Sequence, residues 1–549
     1  MAGRAPFADP DVNKKAAPAA TSGNAARSRL LSQYARRIEQ AAARVYDVAT
    51  ISALEDAPKL SAKLGCRVLL KREDTQSVHS FKLRGAYNKI AQLDETARAR
   101  GVVTASAGNH AQGVALAAQR LGIAASIVMP RTTPAIKVES VRSLGGRAIL
   151  HGDAFDDASA HAMELAEQRG MTMVHPYDDV DVIAGQGTVA REILQQLAPL
   201  RVQHLDAVFV CVGGGGLLAG VAAWIKQYSP KTQVICVEPD DSNCMGAALA
   251  AGRRVRLQQV GLFADGVAVR QAGAEPYRVA RQLVDACITV SVDEICAAIR
   301  DMFNENRAVP EPAGALGIAG VKRWAQTHDV AGKTFCAIVS GANINFDRLR
   351  HVAERAELGD EAEALLAVTI PEKPGSFKRF LKQIGRRAVT EFNYRYSSPG
   401  AAHVFVGIKL SGGQAERAAL IEALRLQDYP VLDMSGNEMA KMHVRFMVGG
   451  RAPGLGDEHL FRFEFPERPG ALVDFLGAVG GRWNISLFHY RNHGAANGRV
   501  LCALQVPRGQ LRECRRSLNE LGYEYWEETA NPAYQLFLGT QVEPDHRGV

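Results

Sequence analysis

Between residues 66 and 343 the sequence alternates short apolar, β-branched runs with stretches of helical period, and this alternation limits the possible folds more than any other feature. Strands are predicted at 68–71, 102–106, 126–129, 148–151, 171–175, 207–212, 233–238 and 334–339, with helices between most of them. Strands that alternate with helices build parallel sheets covered by those helices. The class is therefore α/β. Segment 88–183 holds several strand–helix units and can fold as a smaller lobe inserted in the larger one. A cleft between two such lobes, at the carboxyl ends of strands, is where a ligand would bind.

Outside this region the character changes. Positions 1–30 are rich in Ala, Arg, Lys, Pro and Ser and lack the apolar core of a secretory signal, so they read as a disordered tail. A transit peptide is the alternative; Asp9 and Asp11 weigh against it, because such peptides are poor in acids. A helical stripe begins at Tyr34 and runs through Ile38, Ala41, Ala42 and Val45. The two-lobed region is thus placed at 31–350. A charged, helix-prone connector follows at 351–364, and beyond it the chain repeats itself. Thr369-Ile-Pro-Glu-Lys-Pro-Gly-Ser-Phe377 returns as Glu464-Phe-Pro-Glu-Arg-Pro-Gly-Ala-Leu472. Phe380-Leu381 returns as Phe475-Leu476, and Phe392-Asn-Tyr-Arg395 as Phe488-His-Tyr-Arg491. Each copy, at 365–440 and 459–540, has the strand, turn and helix order of a small βαββαβ sandwich. Its Pro-Gly turn opens a helix and so could face a ligand or a partner chain; a duplicated scaffold is the alternative.

Charge and cysteine usage narrow the partners. The net charge is +7, of which the first thirty residues carry +3, and the rest is too scattered for a nucleic-acid surface. No apolar run is long enough to span a membrane. The nine cysteines are dispersed, with no C-x-x-C pair, which points to reduced thiols in a cytoplasmic protein and not to a disulfide framework.

Four stretches carry chemistry. In Ser80-Phe-Lys-Leu-Arg-Gly-Ala-Tyr87 the apolar positions fall on a helical stripe, and Lys82 lies off it in the first turn. An amine at the positive end of a helix, in an enclosed site, has its charged form disfavoured and its nucleophilic form favoured. An isolated lysine would be an ordinary surface residue. Cys211-Val-Gly-Gly-Gly-Gly-Leu-Leu-Ala-Gly220 follows a strand and enters a helix, so its backbone N–H groups can close around a phosphate. Within it Gly214-Gly-Gly-Leu-Leu-Ala219 also fits a dinucleotide pattern, with Glu238 placed as a ribose-binding acid, and a tight turn without ligand is a third reading. Ser106-Ala-Gly-Asn-His-Ala-Gln-Gly113 sits at a strand-to-helix turn. There Ser106, Ala107, Gly108, Asn109 and His110 could hold a substrate carboxylate through exposed N–H groups, and Asn109 could bond a phenolic oxygen. His110 by itself would more often be structural. Ser340-Gly-Ala-Asn343 ends the last strand, where Ser340 can offer a neutral hydroxyl to a ring nitrogen. A Schiff-base lysine, a phosphate cup and partners for a phenolic oxygen and a ring nitrogen are the anchoring needs of pyridoxal 5'-phosphate. A nicotinamide cofactor gives Lys82 and Ser340 no role.

These motifs, in this order, resemble those of the fold-type II pyridoxal-phosphate enzymes, and among them the biosynthetic threonine dehydratases, from about Leu31 to Leu538. The resemblance implies that Lys82 carries the cofactor as a Schiff base. It implies that Gly213, Gly214, Gly215, Gly216 and Leu217 bind the phosphate, Asn109 the 3'-oxygen and Ser340 the pyridine nitrogen. It implies a two-lobed catalytic domain followed by two ACT-like, ferredoxin-like α+β regulatory domains in a homotetramer. It further implies deamination of L-threonine to 2-oxobutanoate, the first step of isoleucine biosynthesis, inhibited by isoleucine and relieved by valine. Tyr394 and Tyr490, in matching positions of the repeat, are the candidate effector contacts; both would serve equally as core. Serine racemases of this fold carry a serine where this chain has Ala107, which cannot move a proton, so elimination is expected over racemisation. They also bind a divalent cation through a Glu-Pro stretch; here Cys244 stands where an acid is expected, so no divalent metal site is expected, while a monovalent ion stays open. The rivals are a serine dehydratase or threonine synthase-like enzyme of the same fold, and a non-catalytic amino-acid sensor. The repeat argues against the first pair, and intact Lys82, Asn109 and Ser340 against the sensor.

Overall fold

The computed structural model describes residues 22–538, apart from 154, 347, 386, 398–399, 438–439, 442–443, 448, 451, 453–454, 467–470, 480–481 and 492–496. Of the expected tail, residues 1–21 lie outside the described residues. The remainder is not tail: the helix Ser22–Val45 already includes it, because Leu30 and the stripe from Tyr34 to Val45 bury together against the first core.

The chain divides into two units, the first ending at Gly359 and the second beginning at Asp360. In the first unit the alternating pattern forms two sheets. The larger has six strands in the order Leu54–Asp56, Arg67–Arg72, Thr334–Val339, Ala207–Cys211, Gln233–Pro239 and Ala286–Val290, all parallel except the first. Its central strands are buried on both faces, which is why 207–212 reads as a continuous apolar run without alternation. The smaller sheet has four parallel strands in the order Arg147–Leu150, Ala125–Met129, Val102–Ala105 and Thr172–Met173.

The helix Lys82–Ile90 is seated against Asn109–Leu121 and Val180–Gln196 by glycines at the crossings. A Cβ at Gly185 would stand 2.6 Å from Arg84 O and 2.7 Å from Gly85 Cα, and one at Gly113 3.1 Å from Leu83 N. The obstructing atoms are backbone and cannot swing aside. Gly185→Ala is therefore expected to destabilise the first unit by about 1–3 kcal/mol, the usual cost of overpacking, read as a lower thermal midpoint. An unchanged midpoint would show that the crossing has slack.

The expected connector at 351–364 is corrected by the structure. Most of it lies in the helix Arg348–Gly359, which packs on the helix Val292–Asn306 of the first unit and is pinned by the Arg355–Asp293 ion pair. The second unit then starts directly with the strand Glu363–Pro371.

In the second unit both repeats contribute to one eight-stranded antiparallel sheet. Its order is Val431–Asp433, Glu363–Pro371, Ala401–Lys409, Val389–Arg395, Asn484–Arg491, Asn497–Gln505, Glu458–Pro466 and Glu524–Glu527. The two copies meet where Phe392 faces Tyr490 and Tyr394 faces Phe488. The helices Ser376–Ile384 and Ala471–Val479 supply Phe377, Phe380, Phe475 and Leu476 to a shared aromatic core.

Candidate active site

Lys82 opens its helix, and the preceding residues are tied to the end of strand Thr334–Val339. Phe81 N–H donates to Ser340 O (3.2 Å), Ala342 N–H to His79 O (2.9 Å), and Asn343 Nδ2 to Val78 O (2.9 Å). Two stretches 260 residues apart in the sequence, at about 80 and 340, thereby become one wall. The Lys82 amine points inward and donates to Pro176 O at 3.0 Å. Burial pushes its pKa down to about 8, against the opposing pull of the Cys211 and Glu311 side chains. More of the amine is thus neutral near physiological pH than for an ordinary lysine, and the neutral form is the one a nucleophile or base needs.

The glycine run follows strand Ala207–Cys211 and enters the helix Gly216–Tyr228. Its carbonyls are engaged elsewhere: Gly213 O accepts from Cys244 Sγ (3.4 Å), Gly214 O from Gly273 N–H (3.0 Å) and Gly215 O from Ala219 N–H (2.9 Å). The first N–H groups of that helix have no intrahelical acceptor by geometry, so they can serve an anion. Side chains are excluded: a Cβ at Gly213 would stand 2.9 Å from Val267 Cα and one at Gly214 2.1 Å from the Tyr177 ring, while Gly215 takes φ +95°. Glu238, the candidate ribose acid of the dinucleotide reading, is buried and spent on the next helix, accepting from Met245 N–H and Gly246 N–H at 2.8 Å each.

Asn109 begins the helix Asn109–Leu121 and joins the Lys82 wall through Asn343, whose Nδ2 donates to Asn109 Oδ1 at 2.5 Å. Ser340 is buried, its Oγ 3.4 Å from Ala313 O. Ser106 Oγ accepts from Gly108 N–H and Ala111 N–H at 3.3 Å each, which orders the turn 106–110. His110 turns one ring nitrogen to the backbone. The ring is buried with Nε2 2.9 Å from Val174 O, and burial pushes its pKa down to about 3, so it is neutral.

Glu311 escaped the sequence reading. It precedes Pro312 at the start of the helix Pro312–Thr327, and its Oε1 accepts from Asn109 Nδ2 at 2.6 Å. An acid before a proline is a readable helix-start signal; its burial beside Lys82 is not, because the contacts come from distant strand ends. Tyr394 and Tyr490 lie in the second unit, both buried. Tyr394 donates to Glu372, whose other oxygen accepts from Asn484 Nδ2 (2.9 Å) of the second repeat.

Pyridoxal phosphate fits the residues around Lys82. The glycine run, packed too closely for side chains, leaves the N–H groups at the start of its helix to take a phosphate, the amine is of the kind that condenses with an aldehyde, and Asn109 and Ser340 are neutral hydrogen-bonding groups. Fold and centre together define a pyridoxal-phosphate-dependent enzyme, and the family model described as "Pyridoxal-phosphate dependent enzyme" matches residues 45–341. A second model, the C-terminal regulatory domain of threonine dehydratase, matches 354–444 and 449–538. The chain is 53% identical to the biosynthetic L-threonine dehydratase of Burkholderia multivorans over 90% of its own length and 97% of that protein's. It is 53% identical to the Escherichia coli one, with 90% and 95% covered. The solved structure of the processed form of threonine deaminase isoform 2 from Solanum lycopersicum matches with a TM-score of 0.59 and 44% identity, covering 64% of this chain and 98% of that one. The chain belongs to the biosynthetic threonine dehydratases. Among the described residues no helix is long and apolar enough to cross a membrane.

Proposed function

We propose that Lys82 is the residue through which this dehydratase converts L-threonine to 2-oxobutanoate and ammonia. The observation that carries this reading is its enclosed amine of lowered pKa, beside the side-chain-free cradle. Pyridoxal phosphate, when bound, supplies a carbonyl that takes up the substrate amine and a ring that draws electrons from Cα. Gly213, Gly214, Gly215, Gly216 and Leu217 bind its phosphate through backbone N–H groups. Asn109 donates to its phenolic oxygen. Ser340, a neutral hydroxyl, meets the ring nitrogen without holding it protonated, which weakens electron withdrawal and favours prompt loss of the β-hydroxyl. The turn 106–110 receives the substrate carboxylate on its N–H groups. The Lys82 amine, once released, removes the α-proton. The β-hydroxyl takes up a proton and leaves as water, and hydrolysis of the remaining enamine yields 2-oxobutanoate and ammonia. Ala107 offers no proton on the opposite face, so the amino acid is not returned with Cα inverted.

The second unit carries the regulation. Isoleucine inhibits and valine counteracts it, with Tyr394 and Tyr490, at the junction of the two repeats, as the residues nearest the effectors. The enzyme works as a homotetramer in the cytoplasm. The test is 2-oxobutanoate formation from L-threonine with and without isoleucine. Suppression by isoleucine, shifting apparent affinity about 5–150-fold as allosteric couplings do, and its reversal by valine are expected. Turnover indifferent to isoleucine would remove the effector assignment and keep the catalytic one. A cofactor-loaded protein inactive on threonine but active on serine or phosphohomoserine would overturn the substrate.

A further inference from the structure

Glu311 stands where no mechanism step uses it, yet its carboxyl is buried in the wall of the site. The hydrogen bonds around it form a directed chain. Asn343 Nδ2 spends one hydrogen on Val78 O (2.9 Å) and the other on Asn109 (2.5 Å), so the Asn109 atom facing it is the oxygen. The Asn109 nitrogen is then turned to Glu311 Oε1, 2.6 Å away. One of its hydrogens is taken by the carboxylate, and the other remains to donate into the cleft. Room for the carboxyl is kept by a missing side chain: a Cβ at Gly341 would stand 2.7 Å from Glu311 Oε1.

We propose that Glu311 is a positioning residue of the cofactor site, fixing the Asn109 amide with its N–H toward the cofactor's phenolic oxygen and coupling that hydrogen bond to its own proton. The inference rests on the assignment of Asn109 to that oxygen. An ionised Glu311 polarises the amide and holds it; a protonated Glu311 accepts more weakly and holds it less. The groups facing Glu311 place this exchange near neutrality. Burial and the neighbouring Asp265 push its carboxyl up to about 7, while Asn109 and Lys137 pull it down. Lys82 and the Cys211 thiol also face it. Asp265 is itself paired with Lys137 (2.8 Å) and Arg348 (3.3 Å).

The experiment is a pH titration of the visible absorbance of the bound cofactor, with its dissociation constant, in wild type, Glu311→Gln, Glu311→Leu, Asn109→Ala and the double variant Glu311→Leu/Asn109→Ala. Wild type should show a spectral transition near pH 7. Glu311→Gln, which still accepts from Asn109 but does not ionise, should keep the affinity within about twofold and lose that transition. Glu311→Leu should weaken the cofactor about tenfold, the size of one oriented hydrogen bond. In the Asn109→Ala background it should weaken it no further. Additive losses in the double variant would overturn the proposal, because Glu311 would then act independently of Asn109. A transition that survives in Glu311→Gln would overturn the coupling to its proton. If Asn109→Ala alone leaves spectrum and affinity unchanged, the assignment of Asn109 fails, and this outcome is distinct from failure at Glu311 alone.

Discussion

Replacing Lys82 by alanine will lower turnover of L-threonine by more than about 10³-fold, within the range that a positioned general base contributes. The purified variant will also lack the visible absorbance of a lysine-bound cofactor. The size of the effect follows from the two tasks placed on one amine, attachment and removal of the α-proton, which no neighbouring group can assume. Cys211 is the nearest thiol in the same wall, but burial pushes its pKa up to about 11, so it is protonated at working pH and is a poor base. His110 is neutral but faces Val174 O through Nε2. The fold should survive the change. The amine makes one hydrogen bond, to Pro176 O, and its burial as a charge is a cost that alanine removes. The thermal midpoint measured without cofactor is therefore expected within a few degrees of wild type. Substantial residual turnover in a folded Lys82→Ala protein would refute the assignment. Loss of both turnover and fold would mean that the lysine is structural.

Much of this site is legible in the sequence because its parts obey local rules. The strands that end at the cleft are apolar runs bounded by small residues, the glycine run is contiguous, and the lysine sits in the first turn of a periodic helix. The strands Leu54–Asp56 and Ala286–Val290 are not found that way, since three residues and a half-exposed run give no period to read. The junction of the two repeats was also hidden: a repeat predicts two similar units but not the register, Phe392 opposite Tyr490, that merges them into one sheet. Glu311 was missed for a related reason. Its meaning lies in Asn109, 202 positions earlier, and a pairing at that distance leaves no pattern in a single sequence. The same blindness applies to Arg84, two residues after the lysine and inside its motif, which carries the second large effect.

Arg84→Leu will destabilise the first unit by about 3–5 kcal/mol, the cost of removing one partner from a buried ionic set. The Arg84 guanidinium is fully buried between two carboxylates that are fully buried as well. It donates to Glu73 through Nε and Nη2 (2.8 Å each), and to Glu192 through Nη1 (2.5 Å) and Nη2 (3.0 Å), with Thr188 Oγ1 (3.1 Å) and Thr50 O (3.2 Å) beyond. Lys71 completes the set, donating to Glu192 at 2.6 Å, so two cations balance two anions with no water needed. Leucine leaves Lys71 alone to balance both acids. An exposed pair such as Arg37–Asp181 would cost less than about 1 kcal/mol if broken. Lysine at position 84 should fall between, since a point charge cannot fork to two carboxylates. The pH dependence separates this from simple loss of packing. In wild type, burial pushes the Glu73 carboxyl up but the Arg84 guanidinium outweighs it and holds the group below the usual carboxylate range. Its contribution is therefore present above the unfolded-state pKa and lost as pH falls through the lower folded-state value. Without Arg84 burial is opposed only by Lys71 and Ser52, and the folded-state pKa is expected to rise above the unfolded one. The folded variant then binds more protons than its unfolded chain, so its stability declines as pH rises from 5 to 8. Urea unfolding of both proteins across that window, followed by the cofactor signal of the first unit, should show the deficit of Arg84→Leu widening with pH. A deficit that stays constant would mean that Arg84 acts by filling space. Because this cluster anchors the helix that begins with Lys82, the variant should also bind cofactor more weakly at pH 8 than at pH 6, relative to wild type.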